Sequence, residues 1–316
     1  FNTRASTYNV KEWRPEYFND YVGFTEGPGY QYDVGLFQAS LDTITLENQG
    51  RWVTASGNKV DGSPYMGRQA QRRMIIQAMA SSIVSNQDVR SEATFFNIVA
   101  APGYPELIEE LITLNTDKKE IAFIVGDTPA RLDPSGTSIN NWASNTAVAA
   151  STGDEGLTVR NTYVGLYYPW ALSTNTDGNE VVVPPSTVAL RTLAYNDQVA
   201  YPWFAPAGFT RGLVTNASSV GYITSEGEYR PAILSPGQRD VLYLNDINPI
   251  AFIPNRGLVV YGQKSLHPVD SALDRVNVVR LINYLRYNFD IIAKPFLFEP
   301  NDRMTRDQVV SVFERF

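Results

Sequence analysis

Residues 95–129 read FFNIVAAPGYPELIEELITLNTDKKEIAFIVGDTP. Two runs in it, Phe95 to Ala100, broken only by Asn97, and Ile121 to Val125, are largely apolar without alternation. Strands covered on both faces of a sheet have that texture. The second run ends at Asp127. Between the two, Pro105 to Leu114 predicts a helix. Its proline stands at the start, where a missing N–H costs nothing, and Leu107, Ile108, Leu111 and Ile112 fall on one side. Strand, helix and strand in this order predict a mixed α/β fold around a sheet covered on both sides.

The same style continues toward the C-terminus. Tyr163 to Tyr168, Glu180 to Val183 and Leu258 to Tyr261 read as strands. Ile139 to Ala150, Pro185 to Tyr195 and Pro236 to Leu244 read as helices. Ser271-x-x-Asp274 is similar to a capping box, with Asp for the usual Glu, and predicts the start of a long helix. Val278, Leu281, Ile282, Leu285 and Phe289 form its apolar stripe. Arg275 and Arg286 are eleven residues apart, so at about 3.6 residues per turn they share one side. Phe296 to Phe298 reads as a strand, and Asn301-Asp302 caps a last helix that runs to Phe316. Residues 1 to about 65 read as irregular, with turn signals at Gly27-Pro-Gly29, Gly57-Asn58 and Asp61-Gly62. Leu41 to Leu46 and Arg51 to Ala55 are short strand candidates there, and a helix follows near Tyr65 to Val84.

Composition narrows the function. The 316 residues carry 33 acids against 26 bases, a formal charge of −7, which makes a poor general binder of nucleic acid. Arg68, Arg72 and Arg73 cluster, as on a solvated helix face. There is no cysteine, so disulfides, thiolate metal sites and cysteine nucleophiles are excluded. The apolar runs are too short to span a bilayer as a helix. Eighteen tyrosines and fifteen phenylalanines suit a chain with interfaces to cover. The start at Phe1, and the last helix without a stop signal, predict that both ends of the natural protein are missing.

Catalytic chemistry finds little to use. His267 is the single histidine, followed by Pro268, and reads as a turn residue. Gly136-Thr137-Ser138 resembles the nucleophile turn of subtilisin-type proteases, but no base is evident for it, and Ser138 reads as the N-cap of the following helix. Ser56-x-x-Lys59 lacks the partner motifs of penicillin-recognising enzymes. No phosphate-binding glycine loop is present. Glu109-Glu110 and Asp154-Glu155 read as exposed carboxylates rather than metal ligands. The inventory implies no cofactor, no metal and no enzyme.

Four segments carry a family resemblance. They are Phe96 to Gly103 with Ile121 to Pro129; Tyr167-Tyr-Pro-Trp170 with Val182-Val-Pro-Pro-Ser186 and Asn196-Asp197; and Trp203 to Gly208 with Arg211-Gly212, Gln238-Arg239-Asp240 and Ile247-Asn248-Pro249. The fourth is Gly257 to Lys264, with Leu273-Asp-Arg-Val-Asn-Val-Val-Arg-Leu281 and Phe298-Glu-Pro-Asn301. In order and spacing they resemble the tail sheath proteins of contractile bacteriophages, across residues 93 to 316. Val279 stands where that family usually has Arg, so an interface salt bridge is expected to be lost or moved there.

The resemblance implies a subtilisin-like α/β sheet core without a triad over 93–200 and a second α/β subdomain over 201–316; residues 1–92 carry no such match and are expected to belong partly to a more peripheral layer. It implies a structural subunit of the virion, assembled in the host cytoplasm. Hexameric rings of it stack around a tail tube protein, meet baseplate and neck proteins, and contract to drive the tube through the host envelope. Nucleic acid and membrane are not expected partners. Asp274, Arg275 and Arg286 are the expected inter-subunit contacts. A related contractile injection machine, such as a bacteriocin or secretion apparatus, fits the same residues. A serine hydrolase on a subtilisin-like core and a sugar-binding adhesin are alternatives from other classes. Sheath subunits are thought to link by strand addition through extended arms, so this chain by itself is expected to be a monomer.

Overall fold

The computed structural model describes residues 66–145, 156–224 and 228–316, with side chains from Ile75 onward. Leu41 to Leu46, Arg51 to Ala55, Ser56, Lys59, Asp154 and Glu155 lie outside the described residues, and so do the side chains of Arg68, Arg72 and Arg73. The helices named below are α1 (Met66–Ser85), α2 (Ile108–Asp117), α3 (Gly136–Ala143), α4 (Pro185–Val199), α5 (Pro236–Leu244), α6 (Val276–Ala293) and α7 (Arg303–Arg315).

The opening stretch folds as expected. β1 (Ile98–Ala100), a 3-10 turn that begins at Pro105, α2 and β2 (Phe123–Asp127) follow one another. β1 pairs parallel to β2, with Ile98 opposite Phe123, and β2 pairs parallel to β3 (Val164–Tyr168), with Asp127 opposite Tyr167. β3 pairs parallel to β8 (Ile247–Ile253), and β9 (Gly257–Val260) closes the sheet antiparallel to β8. The order is β1-β2-β3-β8-β9, so the central sheet takes strands from both sides of Tyr201.

Alternate residues of this sheet enter two cores. Ile124, Val164, Leu166, Tyr168 and Ile247 pack with Ile108 and Leu111 of α2, Ile139 and Trp142 of α3, and Leu242 of α5. Phe123, Val125, Tyr167, Ile250 and Val260 pack on the opposite face with Val188 and Leu193 of α4 and Val276 and Val279 of α6. Two covered faces are the physical reason for the largely apolar runs. Gly165 is needed at one crossing: a Cβ there would lie 2.6 Å from the Phe123 ring. Any larger residue would push that ring out of the second core.

A second sheet is antiparallel, in the order β5-β4-β6-β7. It contains β4 (Trp170–Thr174), β5 (Glu180–Val183), β6 (Ser219–Ile223) and β7 (Tyr229–Pro231). The chain passes from β3 to β4 across the cis peptide Tyr168–Pro169.

Several expected elements differ. The helix expected over 139–150 spans Gly136–Ala143, and its N-cap is Ser135, whose Oγ accepts from Ser138 N at 3.3 Å. Ser138 is therefore inside the helix. Ser271 caps only a 3-10 turn, Ala272–Asp274, while Arg275 stands extended at the N-cap of α6. Arg275 thus lies outside the helix that carries Arg286. Phe296 to Phe298 is no strand: a 3-10 turn spans Lys294–Phe296, and Phe298 adopts φ 71°. The inward stripe of α6 is Val276, Val279, Arg280 and Asn283, while Val278, Leu281, Ile282 and Leu285 are half-buried and Phe289 is exposed. Of the two polar residues at core positions there, Arg280 is paired with Asp197 through one nitrogen, whereas the side-chain amide of Asn283 has no protein partner.

Candidate interaction surface and the polar nodes beneath it

At the carboxyl ends of β1 and β2, where parallel α/β sheets place their ligands, this chain binds itself. Asp127 is buried; its Oδ2 accepts from Gly103 N at 2.7 Å and from Ser186 Oγ at 2.8 Å, and its Oδ1 accepts from Ser186 N at 2.6 Å. Ser186 sits in the first turn of α4, where a carboxylate also meets the positive end of the helix dipole. Burial pushes the Asp127 carboxyl up to about 6, against the lowering effect of the bonds from Gly103 and Ser186. Beside it, Trp170 Nε1 donates to Thr128 O at 2.8 Å, and Thr128 Oγ1 donates to Tyr167 O at 2.9 Å. Pro-Gly, Asp-x-Pro, Tyr-Pro-Trp and Pro-Pro-Ser are thus parts of one knot at this end of the sheet.

A second knot ties β8 to the segment before α6. Asn248 is buried; its Nδ2 donates to Leu166 O at 3.0 Å and Lys264 O at 2.8 Å, and its Oδ1 accepts from Lys264 N at 2.6 Å. Lys264 Nζ pairs with Asp246 at 3.0 Å and lies 3.9 Å from Asp274. Asp274 takes Arg275 Nε at 2.9 Å, and Arg275 also donates to the Tyr243 hydroxyl. A third lies under α6. Arg280, buried, holds Asp197 at the end of α4 through a 2.5 Å contact. Asn283 and the Nη1 of Arg280 have no protein partner and line a cavity of about 40 Å³.

The expected contact residues therefore separate. Asp274 is buried and inside its own chain's network, so it presents little surface to a neighbour. Arg275 is half-exposed beside Tyr243. Arg286 is exposed elsewhere, against Glu120 and the Tyr163 hydroxyl. The structure does not bring Arg275 and Arg286 together. Val279 is buried in the second core, so an Arg could not form an interface salt bridge from that position without leaving the core. Ser138 shares its hydroxyl with Ser135 Oγ at 2.9 Å, whereas His267 Nδ1 bonds Thr162 Oγ1 at 2.7 Å. Among the described residues no three His, Cys, Asp or Glu side chains gather as a metal site. No described helix is long and apolar enough to cross a membrane.

The sequence reading missed a cleft of about 600 Å³ between the short helix Gly208–Arg211, α5 and the end of β9. Arg239, Tyr243, Tyr261 and Gln263 line it. Its walls come from Trp203 to Gly208, Gln238 to Asp240 and Gly257 to Lys264, segments quoted above for their spacing. Their convergence was the available signal, but a cleft depends on how α5 docks beside β8, which no local pattern encodes.

No family model matches the chain. Over 168 residues, 52% of this chain and 23% of the relative, it is 32% identical to the tail sheath protein of Enterobacteria phage T4. Over 124 residues, 39% of this chain and 17% of the relative, it is 40% identical to the tail sheath protein of Vibrio phage KVP40. Over this part the chain is similar to phage tail sheath proteins. The matched stretch spans about a fifth of the length of these sheath proteins. Solved structures agree at the level of fold. The contracted baseplate of the anti-feeding prophage contains a chain that superposes with TM-score 0.53 at 21% identity, covering 74% of this chain and 58% of that one. The sheath complex of the extracellular contractile injection system PVC, in its contracted state, superposes with TM-score 0.51 at 19% identity, covering 74% and 56%.

Proposed function

We propose that this chain is part of the subunit of a contractile tail sheath, a structural protein of the virion. Its copies assemble as hexameric rings stacked around a tail tube, meet baseplate and neck proteins, and contract to drive the tube through the host envelope. The observation that carries this reading is the 32–40% identity to phage tail sheath proteins. The polar knots at Asp127 and Asn248 support it, because they make a rigid subunit, and a bistable assembly needs rigid units with exchangeable contacts. The subunit takes its place in the virion after assembly in the host cytoplasm. The central sheet β1-β2-β3-β8-β9 is a mixed α/β core, and the subtilisin-like sheet that the resemblance implies is the finer form of this reading. Residues 93–200 supply most of this core, and 201–316 form the second subdomain, which lends β8 and β9 to the central sheet. Arg275 and Arg286 are the residues of the expected contact set with accessible guanidinium groups, and Asp274 acts by holding Arg275.

The chain is not an enzyme in this reading. The knot at Asp127 occupies the usual ligand end of the sheet, and Ser138 has Ser135 as its bonded neighbour. The sheath of a related injection machine is the second reading, favoured by the fold likeness to the anti-feeding prophage and PVC assemblies. Sedimentation tests the assembly claim. The full gene product that contains this sequence is expected to form tubes, and the 316-residue chain alone to sediment as a monomer of 35.2 kDa. A full product that stays monomeric at all salt concentrations would sink the proposal. Polymers of the 316-residue chain alone would show that contacts within it suffice for assembly without the rest of the gene product.

A further inference from the structure

We infer that the 600 Å³ cleft receives an acidic turn from a second copy of this chain, the tip Asn175–Glu180 between β4 and β5. The inference rests on the sheath reading and names a contact within it. Three arginines stand in or beside the cleft, each held against an aromatic ring. Arg239 lies 5.0 Å over Tyr261, Arg211 lies 5.0 Å over Phe204, and Arg256 lies 5.5 Å over Phe209, whose ring is 6.1 Å from that of Tyr261. None of the three has a carboxylate partner among the described residues, whereas Arg90, Arg160, Lys264, Arg275, Arg280 and Arg286 all do. The Nε of Arg239 is shut off from solvent without an acceptor, and so is the Oε1 of Gln263 without a donor. Asp240 is the one carboxylate in the lining. Arg239 and Asp240 balance within the lining, so the positive charge of this region of a chain of net charge −7 comes from Arg211 and Arg256 beside the cleft. Leaving buried polar atoms unpaired is costly unless a ligand satisfies them. Aromatic rings hold the guanidinium planes and leave their edges free for a carboxylate.

The tip has the complementary build. Asn175 Oδ1 accepts from Asp177 N at 3.0 Å and from Asn179 N at 2.9 Å, and Asn175 N donates to Asn179 O at 2.9 Å. These bonds fix a turn whose Asp177 and Glu180 are exposed and make no ion pair among the described residues. A turn already in shape loses little freedom on docking. A cleft of this volume falls within the range of about 300–1,000 Å³ that ligand sites occupy. Two different patches that fit each other make a head-to-tail contact, and such contacts generate rings or helices rather than closed dimers.

The test uses the full gene product and reads the lowest concentration at which it polymerises. Arg239→Glu and Arg256→Glu are each expected to raise that concentration by about tenfold at low salt, as is the pair Asp177→Lys with Glu180→Lys. Combining a cleft variant with the tip pair is expected to restore most of the loss. Melting temperatures report folding; should Arg239→Glu melt early, the exposed Arg256 decides. Polymerisation of the cleft variants or of the tip variants at the wild-type concentration would overturn the contact while leaving the sheath reading intact. Failure of the wild type itself to polymerise would remove the sheath reading, and this contact with it.

Discussion

Arg280→Ala is expected to lower the unfolding free energy by about 3–5 kcal/mol, the usual cost of stripping one partner from a buried ion pair. Arg280 is only 3% exposed, and its guanidinium meets Asp197 at 2.5 Å. The pair ties the end of α4 to α6, two helices that cover the same face of the central sheet. Without Arg280, the partly buried Asp197 loses its bonded partner, and a void opens beneath α6. Arg280→Met with Asp197→Asn removes both charges and keeps most of the volume, so it is expected to recover more than half of the loss. Urea unfolding of the three proteins measures this. A loss below about 1 kcal/mol for Arg280→Ala would mean that the contact behaves as a surface pair.

The second large effect is a dependence on pH at Asp127. Its folded-state carboxyl is pushed up to about 6 from the ordinary 3.8, because burial disfavours the charge. The folded state therefore holds the proton more tightly than the unfolded chain does. The contribution of this group to stability is fully present below about pH 4, and it is lost as pH rises through about 6. A difference of about two units corresponds to about 3 kcal/mol. Asp127→Asn cannot titrate. The stability of the wild type minus that of the variant should fall by about 3 kcal/mol between pH 4 and 7.5, as read from urea midpoints at each pH. A flat difference would show that the three bonds from Gly103 and Ser186 compensate the charge fully, and that Asp127 keeps an ordinary carboxyl.

The central sheet was legible where sequence and burial coincide. Ile121 to Val125 and Tyr163 to Tyr168 are continuous runs, and Phe95 to Ala100 is broken only by Asn97, because the sheet is covered on both sides; β1, β2 and β3 lie within or next to them. β4 and β6 were missed because Trp170-Ala-Leu-Ser-Thr174 and Ser219-Val-Gly-Tyr-Ile223 mix polar and apolar residues without alternation. Their pairing is decided by each other, with Ala171 opposite Val220, and no local pattern reports that. The stripe of α6 was misplaced by the rule that apolar residues face inward. Arg280 and Asn283 hold core positions, and the partner of Arg280 is Asp197, 83 residues earlier. The family motifs were visible as spacing, but their purpose was not. Only the fold shows that Gly103, Asp127, Trp170 and Ser186 meet in one place.

Cryo-electron microscopy of the full gene product tests the central claim most directly. The account predicts helical tubes of stacked six-fold rings, with density for this fold in every subunit and Arg239 of one subunit facing the Asn175–Glu180 turn of the next. Particles that remain single subunits under all conditions, or tubes whose wall density does not admit the β1-β2-β3-β8-β9 sheet, would contradict it.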